Sequence, residues 1–424
     1  MIARAHPGKA CPPPLSLYVH LPWCVRKCPY CDFNSYGLRR GKRTQALGAV
    51  EIPEARYIDA LIADLDASLP EVRDREVVSV FFGGGTPSLF SGTAITRLVA
   101  AIRARLNVRA DAEITLEVNP GTVENEKFAA YENAGINRLS LGVQSFSDTL
   151  LKAIGRIHDA ADARRAIEAA ARHFPVFNID LISGLPGQRI EDALDDVEQA
   201  IAFSPAHISN YALTLEPGAA FWSKRPELPD ADLCADMLDA VEERLADADY
   251  VHYEVSAFAR AGNECRHNLN YWTFGDYLGI GAGAHGKLTG GCSAEIRRQA
   301  RWRKPETYIA RANAGHAVED DFPIPPRELP LEFMMNALRL LEGFDTALFE
   351  ARTGLSIESI GETLGRAREG GLIERTETRI RPTPQGSRFL NRLLTIFVPD
   401  RDQESGIRNQ ESGIRDQMKT DRCC

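Results

Sequence analysis

The chain has 424 residues, 44 % of them hydrophobic and 26 % charged, with a formal net charge of −9. This length suits one large domain with an appendix, and the acidic balance argues against nucleic acid or an anionic membrane as partner. No apolar run approaches the roughly twenty residues of a spanning helix, and residues 1–14 lack the apolar stretch of a secretory signal, so a cytoplasmic location is expected.

In chain order, residues 1–14 read as a tail. The first predicted strand, Leu17–His20, runs into Trp23-Cys24-Val-Arg-Lys-Cys28-Pro-Tyr-Cys31. The spacing of Cys24, Cys28 and Cys31 is C-x3-C-x2-C. Three thiolates can hold three irons of a cubane cluster and leave the fourth open, whereas closed electron-transfer clusters take four cysteines. The nine cysteines are an odd number, and in a chain of this size without an export signal they favour metal or redox use over a disulfide framework. A zinc site would need a further ligand; Cys265 or Cys292 could supply one, but neither has a partner at finger spacing.

Further strands are expected at Val77–Phe82, Ile114–Val118, Arg138–Gly142, Phe177–Leu181 and His207–Leu213, several of them near-continuously apolar. Amphipathic helices lie between them. Tyr57, Leu61, Ile62, Leu65 and Leu69 share one helix face; Ile190, Leu194, Val197 and Ile201 share another. This alternation predicts βαβ units on a parallel sheet. Six units are fewer than the eight of a closed barrel. The fold class is therefore α/β, an incomplete, open (β/α)6 barrel over residues 15–255, with a doubly wound sheet as the alternative. Loops rich in Gly, Pro and polar residues follow the strands, among them Gly83-Gly-Gly-Thr-Pro-Ser88, Asn119-Pro-Gly-Thr122 and Gly184-Leu-Pro-Gly187. Ligands of parallel α/β folds bind at that edge, so one large site is expected there.

Residues 256–330 read as a connecting segment, with the Gly-rich run Gly279 to Gly286 inside it. Residues 331–398 read as helices followed by a hairpin near Arg375–Pro384 and a last helix, a small winged-helix-like domain. With nine Lys/Arg and nine Asp/Glu it offers no basic face for DNA. Residues 399–424 repeat Gln-Glu-Ser-Gly-Ile-Arg and are expected to be disordered.

Taken together, the stretch from Tyr18 to Phe33, Gly83-Gly-Gly-Thr-Pro-Ser88, Glu117-Val-Asn-Pro120, Leu141-Gly-Val-Gln-Ser-Phe146, Gly155-Arg-Ile-His158, Asn178 to Pro186 and Asn210-Tyr-Ala212 resemble the motifs of radical S-adenosylmethionine (SAM) enzymes, in family order. Within them the chain is similar to the oxygen-independent coproporphyrinogen III oxidase group and its relatives, the HemW heme chaperones. The resemblance covers about residues 16 to 398 and implies a [4Fe-4S] cluster on Cys24, Cys28 and Cys31 with SAM chelating the open iron. It further implies that Gly84, Gly85 and Thr86 approach the SAM ammonium, and that Glu117, Gln144 and Asp180 bond the ammonium or the ribose. Arg156 would take the carboxylate, Tyr18 and Tyr30 would bracket the cluster loop, and Ala212 would lie against the adenine. Read singly, these are also a tight turn, satisfied buried polar groups and a surface charge.

Two features separate the branches. Phe33 stands where the oxidases carry a fourth cysteine, and the chain begins only about sixteen residues before the first strand. Both count against oxidase activity and towards the chaperones. The run His267-Asn268-Leu-Asn-Tyr271-Trp272 resembles the H-N-x-x-Y-W motif of heme binding; the plain alternative is a core histidine with packed aromatics. His285 competes with His267 as an iron ligand. The resemblance thus implies heme as cofactor or cargo, an acceptor protein (a respiratory one fits), a homodimer and a transient contact with a membrane protein. Oxidative decarboxylation of coproporphyrinogen III is the alternative.

Overall fold

The computed structural model describes residues 12–38, 52–122, 125–290 and 295–399. Most of the expected N-terminal tail, the Gln-Glu-Ser-Gly-Ile-Arg repeat and Cys292 lie outside these residues.

All six expected parallel strands are present: β1 (Leu15–Leu21), β4 (Glu76–Gly84), β5 (Asn107–Val118), β6 (Arg138–Gln144), β7 (Phe177–Ser183) and β8 (His207–Ala212). Two-residue strands β2 (Trp23–Cys24) and β3 (Tyr36–Gly37) pair beside them. The order β1-β4-β5-β6-β7-β8 follows the chain without reversal. A doubly wound sheet reverses direction at its switch point; the uninterrupted order is that of a barrel wall left open. Helices α1 (Glu54–Val72), α2 (Gly92–Arg105), α3 (Asn125–Ala134), α4 (Asp148–Ala153), α5 (Ala160–His173) and α6 (Ile190–Ala202) connect the strands, and α7 (Ala220–Ser223) and α8 (Ala231–Asp247) follow β8.

The strands are buried on both faces, but the two faces differ. Leu15, Leu17, Val19 and Leu21 of β1 join Val80, Phe82, Ile114, Leu116, Leu139, Leu141 and Ile179 in the main apolar core, packed with Leu61, Leu65, Ile95, Leu98 and Ile167 of the helices. The alternate positions are polar and look inward: Ser16, Tyr18 and His20; Glu113, Thr115 and Glu117; Arg138 and Ser140; Asn178 and Asp180; His207 and Ser209. Period-two alternation in a twisted, curled sheet puts one set in the helix layer and the other in the barrel interior.

Residues 256–330 build further strands of the same sheet. After β9 (Val251–Glu254) and β10 (Ala257–Ala259), which close one side, α9 (Arg266–Trp272) leads to β11 (Asp276–Ile280), parallel to β1 at the other side. Antiparallel β12 (His285–Thr289), β13 (Ile296–Arg301) and β14 (Val318–Pro323) extend it, with α10 (Pro305–Asn313) between the last two. The sheet has twelve strands in the order β14-β13-β12-β11-β1-β4-β5-β6-β7-β8-β10-β9. A buried network fastens this extension to α1: Asp64 accepts from Arg301 Nε (3.4 Å), Tyr308 Oη (2.9 Å) and Gly281 N (3.3 Å).

The C-terminal part comprises α11 (Leu329–Ala337), β15 (Phe344–Asp345), α12 (Thr346–Thr353), α13 (Gly361–Glu369), β16 (Ile373–Arg375), β17 (Arg379–Pro382), α14 (Pro384–Arg388) and α15 (Leu390–Thr395), with a three-stranded sheet ordered β15-β17-β16. Helices in front of a small hairpin sheet make it winged-helix-like. Its core of Phe333, Met334, Phe349, Leu364 and Ile380 also takes in Phe274, from the turn before β11, and Ile296 of β13.

Candidate cofactor chamber

The interior face of the strands encloses a cavity of about 390 Å³ that runs from the cysteine loop at the C-terminal strand ends down to α9 at the base. Cys24, Cys28 and Cys31 line it, together with Tyr30, Gly84, Gly85, Thr86, Glu117, Gln144, Arg156, Asp180 and Ala212. Tyr18 does not line it. Its hydroxyl lies 2.9 Å from His20 Nδ1, and His20 Nε2 lies 3.1 Å from Asn34 O in the cysteine loop. Tyr18 therefore reaches that loop through His20, a residue without a distinctive sequence signal. Burial lowers the His20 pKa to about 4, so the ring is a neutral bridge.

The cysteine loop is held by backbone. Tyr36 N donates to Pro22 O (2.7 Å), Leu38 N to Cys24 O (2.9 Å) and Cys31 N to Cys28 O (3.2 Å). Asn34 Nδ2 donates to Ala282 O (2.8 Å) and Arg303 O (2.9 Å), so the Gly-rich run after β11 buttresses the loop from behind. Gly85 N donates to Leu21 O and Thr86 N to Trp23 O. A Cβ on Gly85 would stand 2.6 Å from Trp23 O, and one on Gly84 (φ +111°) 2.4 Å from the His20 ring. Only glycine lets this strand end come so close to the cysteine loop.

Arg156 sits beside the thiols. Its Nη1 lies 3.8 Å from Cys28 Sγ and 3.5 Å from Tyr30 Oη, its Nη2 donates to Gly142 O (2.6 Å), and its buried Nε has no protein acceptor. Glu117 Oε2 accepts from Gly84 N (3.1 Å); burial, aided by the charge of Asp180, pushes its pKa up to about 8. Burial likewise lifts Asp180 to about 6, against hydrogen bonds from Asn178 and Ser140. Gln144 ends β6 with φ +73°, a conformation that costs a non-glycine residue energy and aims its side chain at the chamber.

The motif on α9 is divided. Asn268 and Trp272 line the base of the chamber. His267 is fully buried behind Phe81, its Nδ1 2.9 Å from Ser79 Oγ and its ring stacked on Phe81 at 5.0 Å. Desolvation lowers its pKa to about 3, leaving a neutral imidazole whose Nε2 has no partner. Tyr271 packs edge-on against Tyr277. His285 is exposed on β12. Sequence reasoning did not find Arg138, Asn178, His207, Glu254 or Arg339, all of which line the cavity. For Arg138, Asn178 and His207 the available signal was the polar residue at every second position of β6, β7 and β8; Glu254 and Arg339 carried none.

Residues 18–200 match the radical SAM superfamily and residues 324–389 the HemN C-terminal domain. The heme chaperone HemW of Escherichia coli K12 is 45 % identical over 92 % of this chain and 99 % of its own length. The chain belongs to the HemW family. HemW of Haemophilus influenzae is likewise 45 % identical, over 92 % of this chain and 99 % of its own. The mouse mitochondrial radical S-adenosyl methionine domain-containing protein 1 is 37 % identical over 76 % of this chain and 73 % of its own. The solved structure of coproporphyrinogen III oxidase (HemN) from Escherichia coli superposes with a TM-score of 0.75 at 24 % identity, covering 91 % of this chain and 90 % of that one, which shows a shared fold.

Membership of the radical SAM superfamily implies a [4Fe-4S] cluster and SAM, and the chamber fits both. Three soft sulfur donors line its mouth, where burial raises the Cys24 and Cys31 thiols, the latter to about 11. Iron charge is what would drive their protons off. The spare Arg156 Nε–H and the Gly84–Gly85 cradle offer a donor and exposed backbone to an amino-acid head group.

Proposed function

We propose that this chain carries a [4Fe-4S] cluster on Cys24, Cys28 and Cys31, binds SAM beside it, and binds heme for transfer to an acceptor protein. What carries this reading is a single chamber whose mouth holds three thiols and whose base is formed by Asn268 and Trp272 of the H-N-x-x-Y-W segment. The bound cluster and SAM supply one-electron reductive chemistry. The chain's own part is positioning: Gly84, Gly85 and Thr86 receive the ammonium, Arg156 the carboxylate, Glu117, Gln144 and Asp180 the ribose side, and Ala212 the adenine, with Tyr30 against the cluster loop. Tyr18 supports that loop from behind. Phe33 lines the chamber in place of a fourth cysteine, which supports the chaperone over the oxidase reading. His267 fits an axial ligand chemically, as a neutral imidazole with a free Nε2, but reaches a heme only if α9 or Phe81 moves.

A homodimer, a respiratory or other membrane-bound acceptor, a cytoplasmic location and a winged-helix-like domain over residues 331–398 belong to the same proposal. Among the described residues no helix is long and apolar enough to cross a membrane.

Anaerobic reconstitution tests it. The reduced protein is expected to show a [4Fe-4S] paramagnetic signal that shifts on adding SAM, and a heme absorbance band that saturates at a fixed ratio. Cys24→Ser should abolish the first and keep the second. Conversion of coproporphyrinogen III to protoporphyrinogen by the reconstituted protein would overturn the chaperone reading.

A further inference from the structure

The base of the chamber collects hydrogen-bond donors that the protein itself does not use. Arg138, at the start of β6, is 3 % exposed. Its Nη1 donates to Asn263 O (3.1 Å) and lies 3.4 Å from Glu113 Oε2, while its Nη2 has no acceptor. Arg339 follows α11. Its Nη2 donates to Glu254 Oε2 (3.2 Å), its guanidinium stacks 4.3 Å above the Trp272 ring, and its Nε has no acceptor. Trp272 Nε1, on a side chain 1 % exposed, also has none. All three side chains line the same cavity. Between them lie Cys265 and Asn268, so positions 265, 268 and 272 form one inward stripe of α9 and its N-cap, with an arginine near each end.

Buried donors without acceptors are disfavoured, and native structures tolerate them where a ligand completes them. The two arginines narrow the ligand. Each keeps a charge-bearing N–H in reserve after pairing with its own carboxylate, and a planar guanidinium matches a carboxylate better than any neutral acceptor. The arrangement is also rigid: Glu113 and Asn263 fix Arg138, and Glu254 with the indole fixes Arg339. Because Arg339 comes from the C-terminal part and Arg138 from the barrel, both parts of the chain contribute to one subsite.

We propose that the base of the chamber is a carboxylate-binding subsite built from Arg138, Arg339 and Trp272 Nε1, and that it receives the propionate groups of the tetrapyrrole. The second half of this statement rests on the heme reading above. The subsite orients the ligand with its carboxylates at α9 and its apolar edge towards the cysteine loop.

Absorbance titrations of the full chain with heme and with heme dimethyl ester, whose carboxylates are masked, test this. The wild type is expected to bind heme at least about tenfold more tightly than the ester, as one lost charge-assisted contact implies. Arg138→Gln and Arg339→Gln should each weaken heme and leave the ester unchanged, moving the ratio towards one. Both variants keep a hydrogen-bonding side chain, and retention of the SAM-induced shift of the cluster signal reports an intact chamber mouth. Equal affinity of the wild type for the two porphyrins, or a ratio unchanged in both variants, overturns the subsite and leaves the heme reading standing. Binding of neither porphyrin to the wild type overturns both.

Discussion

At the scale of single residues, the chamber mouth depends on two glycines and two carboxyls. Gly85→Ala would force a Cβ to within 2.6 Å of Trp23 O, backbone that has nowhere to move while β2 pairs with β3. Overpacking of this kind costs about 1–3 kcal/mol. We expect a lower melting temperature together with reduced iron content, and wild-type iron retention in Gly85→Ala would refute the cradle. Glu117 gives a pH signature. Its folded pKa of about 8 lies above its ordinary value of 4.5, so between those limits the folded chain holds more protons than the unfolded one. Stability then falls as pH rises through that window. Asp180 adds the same sign between 3.8 and about 6. In cofactor-free protein, Glu117→Gln should be more stable than wild type at pH 8, by on the order of 3 kcal/mol, and similar to it near pH 5. Denaturant unfolding at both pH values measures this; parallel behaviour would contradict it. These residues were legible in different degrees. The thiols and the glycines announce themselves by spacing. Arg339 does not, because a residue that bonds across many tens of positions has no local pattern to betray it, and His20, bonded to nearby Tyr18 and Asn34, belongs to no spacing motif.

At the scale of elements, the six parallel strands were readable from short β-rich runs, and the order of the motifs placed their loops at one edge. Their inner polar face was not read, although the alternation was present in Glu113-Ile-Thr115-Leu-Glu117. The helices α6 and α9 show why amphipathic patterns mislead about sites. On α6 the buried face includes Asp196, whose Oδ1 accepts from Phe146 N (2.6 Å) and Ser145 Oγ (3.0 Å) and so holds the turn that follows Gln144. Burial raises this carboxyl to about 7, yet the two bonds keep it in place. Asp196→Ala leaves those donors without an acceptor and should cost about 1–3 kcal/mol, with weaker SAM binding measured by calorimetry as the distinguishing effect. On α9 the histidine at position 267 faces β4 and its neighbour Asn268 faces the chamber, a split that only the packing against Phe81 decides.

At the scale of the whole molecule, residues 256–330 add strands to the large sheet and the C-terminal part shares its core with them. Phe274 and Ile296 pack with Phe333 and Met334, and Arg339 inserts back towards Trp272. A chain cut after residue 330 would expose that apolar surface. Calorimetry of the full chain should therefore show one unfolding transition, and two well-separated transitions would show that the parts are energetically independent. Asp64 makes the same point on the other side, since it joins α1 to β13. Asp64→Ala leaves the fully buried Arg301 without its carboxylate, and loss of one partner of such a pair costs about 3–5 kcal/mol.

The open wall also leaves two borders. Among the described residues no strand pairs with the outer side of β14, yet that strand reads Val-Glu-Asp-Asp-Phe-Pro, largely exposed, and carries a bare Phe322. Three adjacent carboxylates and a terminal proline are what keep an unzipped border from templating onto another copy. Most of that guard is charge, so it goes when the charges are removed. Fibril-like self-association on replacing Glu319, Asp320 and Asp321 by neutral residues would be the molecule's price for not closing its barrel.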